Sequence, residues 1–77
     1  MMKVHGVEIE QATIDAAINA FPAERSFTLV DLRGQLVRLG VPLNASDRCA
    51  DRALQKCRKA GTHSFSGGKW RRREVTP

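Results

Sequence analysis

Residues 44–73 read NASDRCADRALQKCRKAGTHSFSGGKWRRR, and two periodicities meet in them. In the first half, Ala50, Ala53, Leu54, Cys57 and Ala60 return at helical spacing and cover one side. Arg48, Arg52, Gln55, Lys56 and Lys59 cover the opposite side within about 100° of arc. Asp47, Asp51 and Arg58 lie along one flank. The spacing predicts a helix over about 45–60, capped by Asn44 with Asp47 three residues on, or by Ser46, and stopped at Gly61. After Gly61 the period changes to two. Gly67-Gly68 separates Thr62–Ser66 from Lys69–Arg73, and a two-glycine loop suits the tight turn of a β-hairpin over about 62–73. Pairing Ser66 with Lys69 sets Phe65 opposite Trp70 and His63 opposite Arg72 on one side. Thr62, Ser64, Ser66, Lys69, Arg71 and Arg73 then share the other. The aromatic side is expected to dock on the helices, because a lone hairpin is marginal in water.

Upstream, Thr28-Leu29-Val30-Asp31 has the form of a capping box, with Asp at the third helical position and Phe27 able to staple onto Leu32. Leu29, Leu32, Leu36 and Leu39 fall within about 80° of arc. A helix over about 28–39 follows, ended by Gly40 and Pro42. Ile14, Ala17, Ile18 and Phe21 predict an earlier helix over about 10–20, stopped by Pro22. Val4 to Ile9 alternates loosely around Gly6, as a short strand or an ordered arm would. The whole of 1–77 reads as a single domain of mostly helical α+β class.

Three short helices and a two-stranded hairpin, the last two helices joined by a tight turn, resemble the winged helix-turn-helix superfamily. The resemblance covers about residues 10–73 and rests on Thr28-Leu29-Val30-Asp31-Leu32, Asn44-Ala45-Ser46-Asp47-Arg48 and Ser64-Phe65-Ser66-Gly67-Gly68-Lys69-Trp70-Arg71. It implies a three-helix domain with a C-terminal wing. Ser46 to Lys59 would be the helix that enters a DNA major groove, and Lys69 to Arg73 the wing that touches backbone or minor groove. By analogy it also implies a small transcriptional regulator or accessory factor, bacterial or phage-like.

The side chains lead to the same chemistry without the analogy. Arg48, Arg52, Lys56 and Lys59 at i, i+4, i+8 and i+11 lay four cations along one line, which suits a groove rimmed by phosphates. Arginine can read guanine bidentately whereas lysine mostly supplies charge. Asn44, Ser46, Arg48 and Arg52, near the helix start, are the candidates for base readout. Lys56 and Lys59 suit phosphates, with Gln55 on the same face. Ser66, Lys69, Arg71, Arg72 and Arg73 supply the hairpin's contacts. The competing readings are an ordinary solvated face for the helix stripe and a frayed tail for Arg71–Arg73. Trp70 could stack on an unpaired base, but the hairpin needs it as an anchor.

Composition agrees. The 77 residues carry 13 Lys plus Arg against 8 Asp plus Glu, a net charge of +5. Residues 1–44 hold a net −1 and residues 45–77 a net +6, so the surplus is C-terminal. That asymmetry points to a polyanionic partner, double-stranded DNA first, with structured RNA as a rival. A chain this short has little room for a substrate-engulfing cleft, and no enzyme is expected. His63 and Ser64 are adjacent in a strand and point to opposite faces, so they make no nucleophile–base pair. Cys57 reads as a core residue and Cys49 as lying at the edge of that face. Eight residues apart on one helix they stand about 12 Å apart, too far for a disulfide. With His5 and His63 they lack zinc-type spacing, and neither metal nor cofactor is expected. No apolar run approaches the roughly 20 residues of a membrane span, and no signal-like segment opens the sequence, so a cytoplasmic protein is expected. A protein-interaction module is the remaining rival, favoured if Val30, Val37, Val41 and Leu43 cluster exposed. No dimerisation helix is evident, leaving a monomer or weak homodimer.

Overall fold

Thr28 does what its spacing predicts. In the computed structural model, which describes residues 2–73, its side chain accepts a hydrogen bond from the Asp31 amide (3.2 Å) and its own amide donates to the Asp31 carboxylate (2.9 Å). Both halves of the capping box are therefore present at the start of helix α2, Leu29–Arg38. The bond from the Thr28 amide holds the Asp31 carboxyl below its ordinary value of 3.8. Its benefit is present above that value and is lost as pH falls through the lower folded one. Thr28→Ala removes the cap and should lower stability by about 1 kcal/mol in urea denaturation at neutral pH.

The full order is β1 (Met2–Val4), β2 (Val7–Ile9), α1 (Gln11–Asn19), α2, α3 (Leu43–Ala60), β3 (His63–Ser66) and β4 (Lys69–Arg72). It makes a mostly helical α+β fold with two small antiparallel sheets. α1 buries Ile14, Ala17 and Ile18, the expected face. Leu32 and Leu36 of α2 are fully buried, Leu29 is half-buried and Leu39 is exposed. Leu39 leaves the stripe because α2 has already ended. Gly40 adopts φ +99°, a region glycine enters without strain, and turns the chain so that Val41 is buried instead. The Val41 amide bonds the Leu36 carbonyl (3.0 Å) and the Gly40 amide that of Val37 (3.1 Å), a Schellman pair.

α3 begins two residues earlier than a cap at Asn44 would start it, and four earlier than one at Ser46. Pro42 holds the N-cap position at φ −56°, and its carbonyl accepts from the Ala45 and Ser46 amides, both at 3.0 Å. The sequence assigned the cap to an Asn or Ser side chain, but α3 has no side-chain cap bond. Asn44 is an exposed first-turn residue, and Ser46 is fully buried with its hydroxyl donating to the Leu43 carbonyl (2.8 Å). The cysteines exchange roles: Cys49 is fully buried and Cys57 half-buried. The buried arc of α3 is wider than its own small residues predict because α2, β1 and β3 all pack on it.

The C-terminal hairpin has the predicted register, His63 opposite Arg72, Phe65 opposite Trp70 and Ser66 opposite Lys69. Its docking is not as expected. Trp70 is buried, but Phe65 lies on the outer side of it, 49% exposed, with ring centroids 4.9 Å apart. Phe27 supplies the anchor. Its amide donates to the Trp70 carbonyl (2.8 Å) and accepts in return through its own carbonyl (2.7 Å), a one-residue bridge that ties β4 to the segment before α2. The Phe27 ring stacks on Phe21 at 4.4 Å.

At the other end, Met2–Val4 and Val7–Ile9 pair around His5-Gly6, with Met2 opposite Ile9 and Lys3 opposite Glu8. The segment Val4–Ile9, read as one strand or arm, thus holds the end of β1, the His5-Gly6 turn and all of β2. Met2, Val4 and Ile9 face the core. Among the described residues no helix is long and apolar enough to cross a membrane.

Candidate nucleic-acid interface

Each turn of α3 that buries an alanine, Cys49 or Leu54 turns a polar side chain outward, and the result is one exposed face. Arg48, Arg52, Gln55, Lys56 and Lys59 are all exposed on it. Among the described residues the one ion pair is Arg33 to Asp47 (3.1 Å), which links α2 to α3. None of the four α3 cations has an acidic partner within that reach among these residues. Arg52 donates to the main-chain carbonyl of Lys3 (3.1 Å), which leaves its charge uncompensated while tying it to β1. Ser46 drops out of the candidate set because it is buried and its hydroxyl is committed to Leu43.

The hairpin's share of the site divides. Ser66 and Lys69 are exposed beside the Gly67-Gly68 loop. Arg71 instead donates Nε to the Ala23 carbonyl (3.3 Å). Half-buried Arg72 donates to the Phe21 carbonyl (3.0 Å) and to the Asn19 side chain (3.4 Å). These two arginines clasp β4 to the α1–α2 connection, although Arg71 stays exposed. Arg73 is exposed, and its guanidinium lies where a Cβ on Gly61 would meet it at 3.9 Å. A cation there favours the negative end of the α3 dipole. The helix cations and the Arg71–Arg72 clasp therefore serve different parts of the molecule.

Lys3 is the cation the sequence reading passed over. The signal was Met2-Lys3-Val4, an alternating triplet just before a His-Gly turn, which places an exposed lysine between two buried side chains.

The remaining chemistry-bearing side chains are packed away. His63 is buried, its Nδ1 bonded to the Thr62 hydroxyl (3.0 Å), and its Nε2 has no partner among the described residues. Burial pushes its imidazole below the ordinary value of 6.5, and Arg72 across the hairpin acts in the same direction. The unfolded chain therefore binds more protons between the folded value and 6.5. Stability should fall as pH drops below 6.5, and the fall should end once pH passes the folded value. His63→Gln should flatten that slope in urea melts across the acid range. Burial also raises the Cys49 thiol. Among the described residues no three His, Cys, Asp or Glu are grouped for a metal ion.

No family model, curated protein or solved structure matches this chain.

Proposed function

We propose that this chain is a winged-helix protein that binds duplex DNA through α3, acting in the cytoplasm as a small regulator or accessory factor. The observation that carries the reading is the row Arg48, Arg52, Lys56 and Lys59, exposed and without acidic partners among the described residues. Element order supports it. One helix, a short bridge at Phe27, two helices and a hairpin whose second strand accepts that bridge follow the winged-helix arrangement. In this reading the field of α3 captures the duplex and the helix then docks in the major groove. Asn44, Arg48, Arg52 and Gln55 face the bases, Lys56 and Lys59 hold phosphates, and Ser66 and Lys69 touch the backbone beyond. No bond is made or broken.

The test is a titration of duplex DNA, single-stranded DNA and duplex RNA at several salt concentrations. Duplex DNA should bind most tightly, with affinity falling steeply as salt rises. Equal or tighter binding to duplex RNA would move the reading to structured RNA.

A second reading has its own observation. Val30, Val37 and Leu43 are exposed, as a protein-docking module requires, although Val41 is buried. Val30 and Phe65 line one hollow between the start of α2 and the wing. Absence of binding to every nucleic acid would favour it.

A further inference from the structure

Two hairpins flank the exposed ridge of α3. On one side β3 and β4 bound a hollow with Val30, Asp51, Gln55, Arg58 and Phe65. On the other, β1 bounds a hollow of about 430 Å³ whose polar lining is Lys3, Asp51, Arg52, Gln55, Lys56 and Lys59. Asp51 and Gln55 belong to both and mark the crest between them. The two sides differ in charge. The lining of the wing side holds one cation, Arg58, with Asp51 and apolar groups, whereas that of the β1 side holds four cations and one acid, Asp51.

We propose that the β1–β2 hairpin is a second arm of the DNA interface, with Lys3, Lys56 and Lys59 gripping the phosphates of one strand in this hollow. The proposal rests on the duplex-DNA reading above and adds a contact to it. Three features give Lys3 a fixed place. Met2 and Val4 on either side of it are buried, pinning β1 to the core. Arg52 bonds the carbonyl of Lys3 itself, so the arm is tied to the helix it flanks. β2 completes the strand pairing, with Glu8 opposite Lys3. The helix cations of this hollow, Arg52 to Lys59, span seven positions, about 10 Å of helix. With Lys3 beside them they reach past a single phosphate, a length that a small free anion would not use.

Salt dependence separates this arm from the helix. Each phosphate contact contributes about 0.9 to the slope of log affinity against log salt. Lys3→Ala should therefore make the slope shallower by about 0.9 and weaken duplex binding about eightfold at 0.1 M salt, equally for unrelated sequences. Glu8→Gln, which removes the acid opposite Lys3, should bind more tightly than the parent. Arg38→Ala, an exposed cation on α2, serves as the control, and circular dichroism checks that each variant is folded. If the parent binds duplex DNA and folded Lys3→Ala keeps its affinity and slope, the arm is overturned while the helix reading stands. If the parent binds no duplex DNA, both are overturned together.

Discussion

Trp70→Ala should abolish cooperative unfolding near room temperature, while Phe65→Ala, one position across the hairpin, should cost no more than about 1 kcal/mol. The two rings touch and sit in paired positions, yet they belong to different environments. Trp70 is 5% exposed and its strand is held by two main-chain bonds to Phe27. Truncating a buried aromatic costs about 3–5 kcal/mol through lost burial and the cavity left behind. A domain of this size holds only about 0.05–0.15 kcal/mol per residue in total, so the loss is comparable with the whole. The cavity would open in the buried cluster that also holds Phe21 and Phe27. Urea titration followed by circular dichroism reads both variants. Equal losses would mean that Phe65 carries as much of the docking as Trp70, contrary to the burial.

That contrast also marks how far the sequence could be read. The Thr28 capping box, the register of the C-terminal hairpin and the basic face of α3 were legible because each depends on residues within about four positions or on a single turn. What escaped depends on contacts between distant segments. Nothing near Phe65 or Trp70 says which ring faces inward; the Phe27 bridge decides it. Arg71 and Arg72 look like free cations in the run Lys69–Arg73, and only the carbonyls of Ala23 and Phe21 turn them into a clasp. Ser46 looks like a cap until Pro42 starts the helix sooner and the core covers the hydroxyl. Lys3 sits in a segment too short for more than one alternation to show, and its relation to Arg52 spans 49 positions of chain. The local half of the candidate site was therefore written on the helix wheel. Its division between the arginines exposed on α3 and the clasped Arg71 and Arg72 was not.

That division leads to the largest functional effect. Lys56→Glu combined with Lys59→Glu should weaken duplex binding by more than 100-fold at 0.1 M salt. A phosphate contact worth about 0.9 in salt slope gains about 0.9 decade of affinity between 1 M and 0.1 M salt. Losing two such contacts costs roughly 60-fold, and two added carboxylates repel phosphates within a Debye length of about 10 Å. The slope should become shallower by about 1.8. Both positions are exposed on α3, so the double variant should remain folded. Arg72→Ala should do the reverse. It breaks the bonds to Phe21 and Asn19, lowering the thermal midpoint, and leaves the salt slope nearly unchanged because that arginine faces the α1–α2 connection. If Arg72→Ala flattened the slope while the α3 double variant did not, the interface would lie on the wing base, and the helix would be an ordinary solvated face. If both variants changed affinity equally without changing slope, the contacts would be something other than phosphates. The assignment of α3 as the groove-binding element thus stands on one comparison, between a pair of α3 cations and Arg72, which look alike in the sequence.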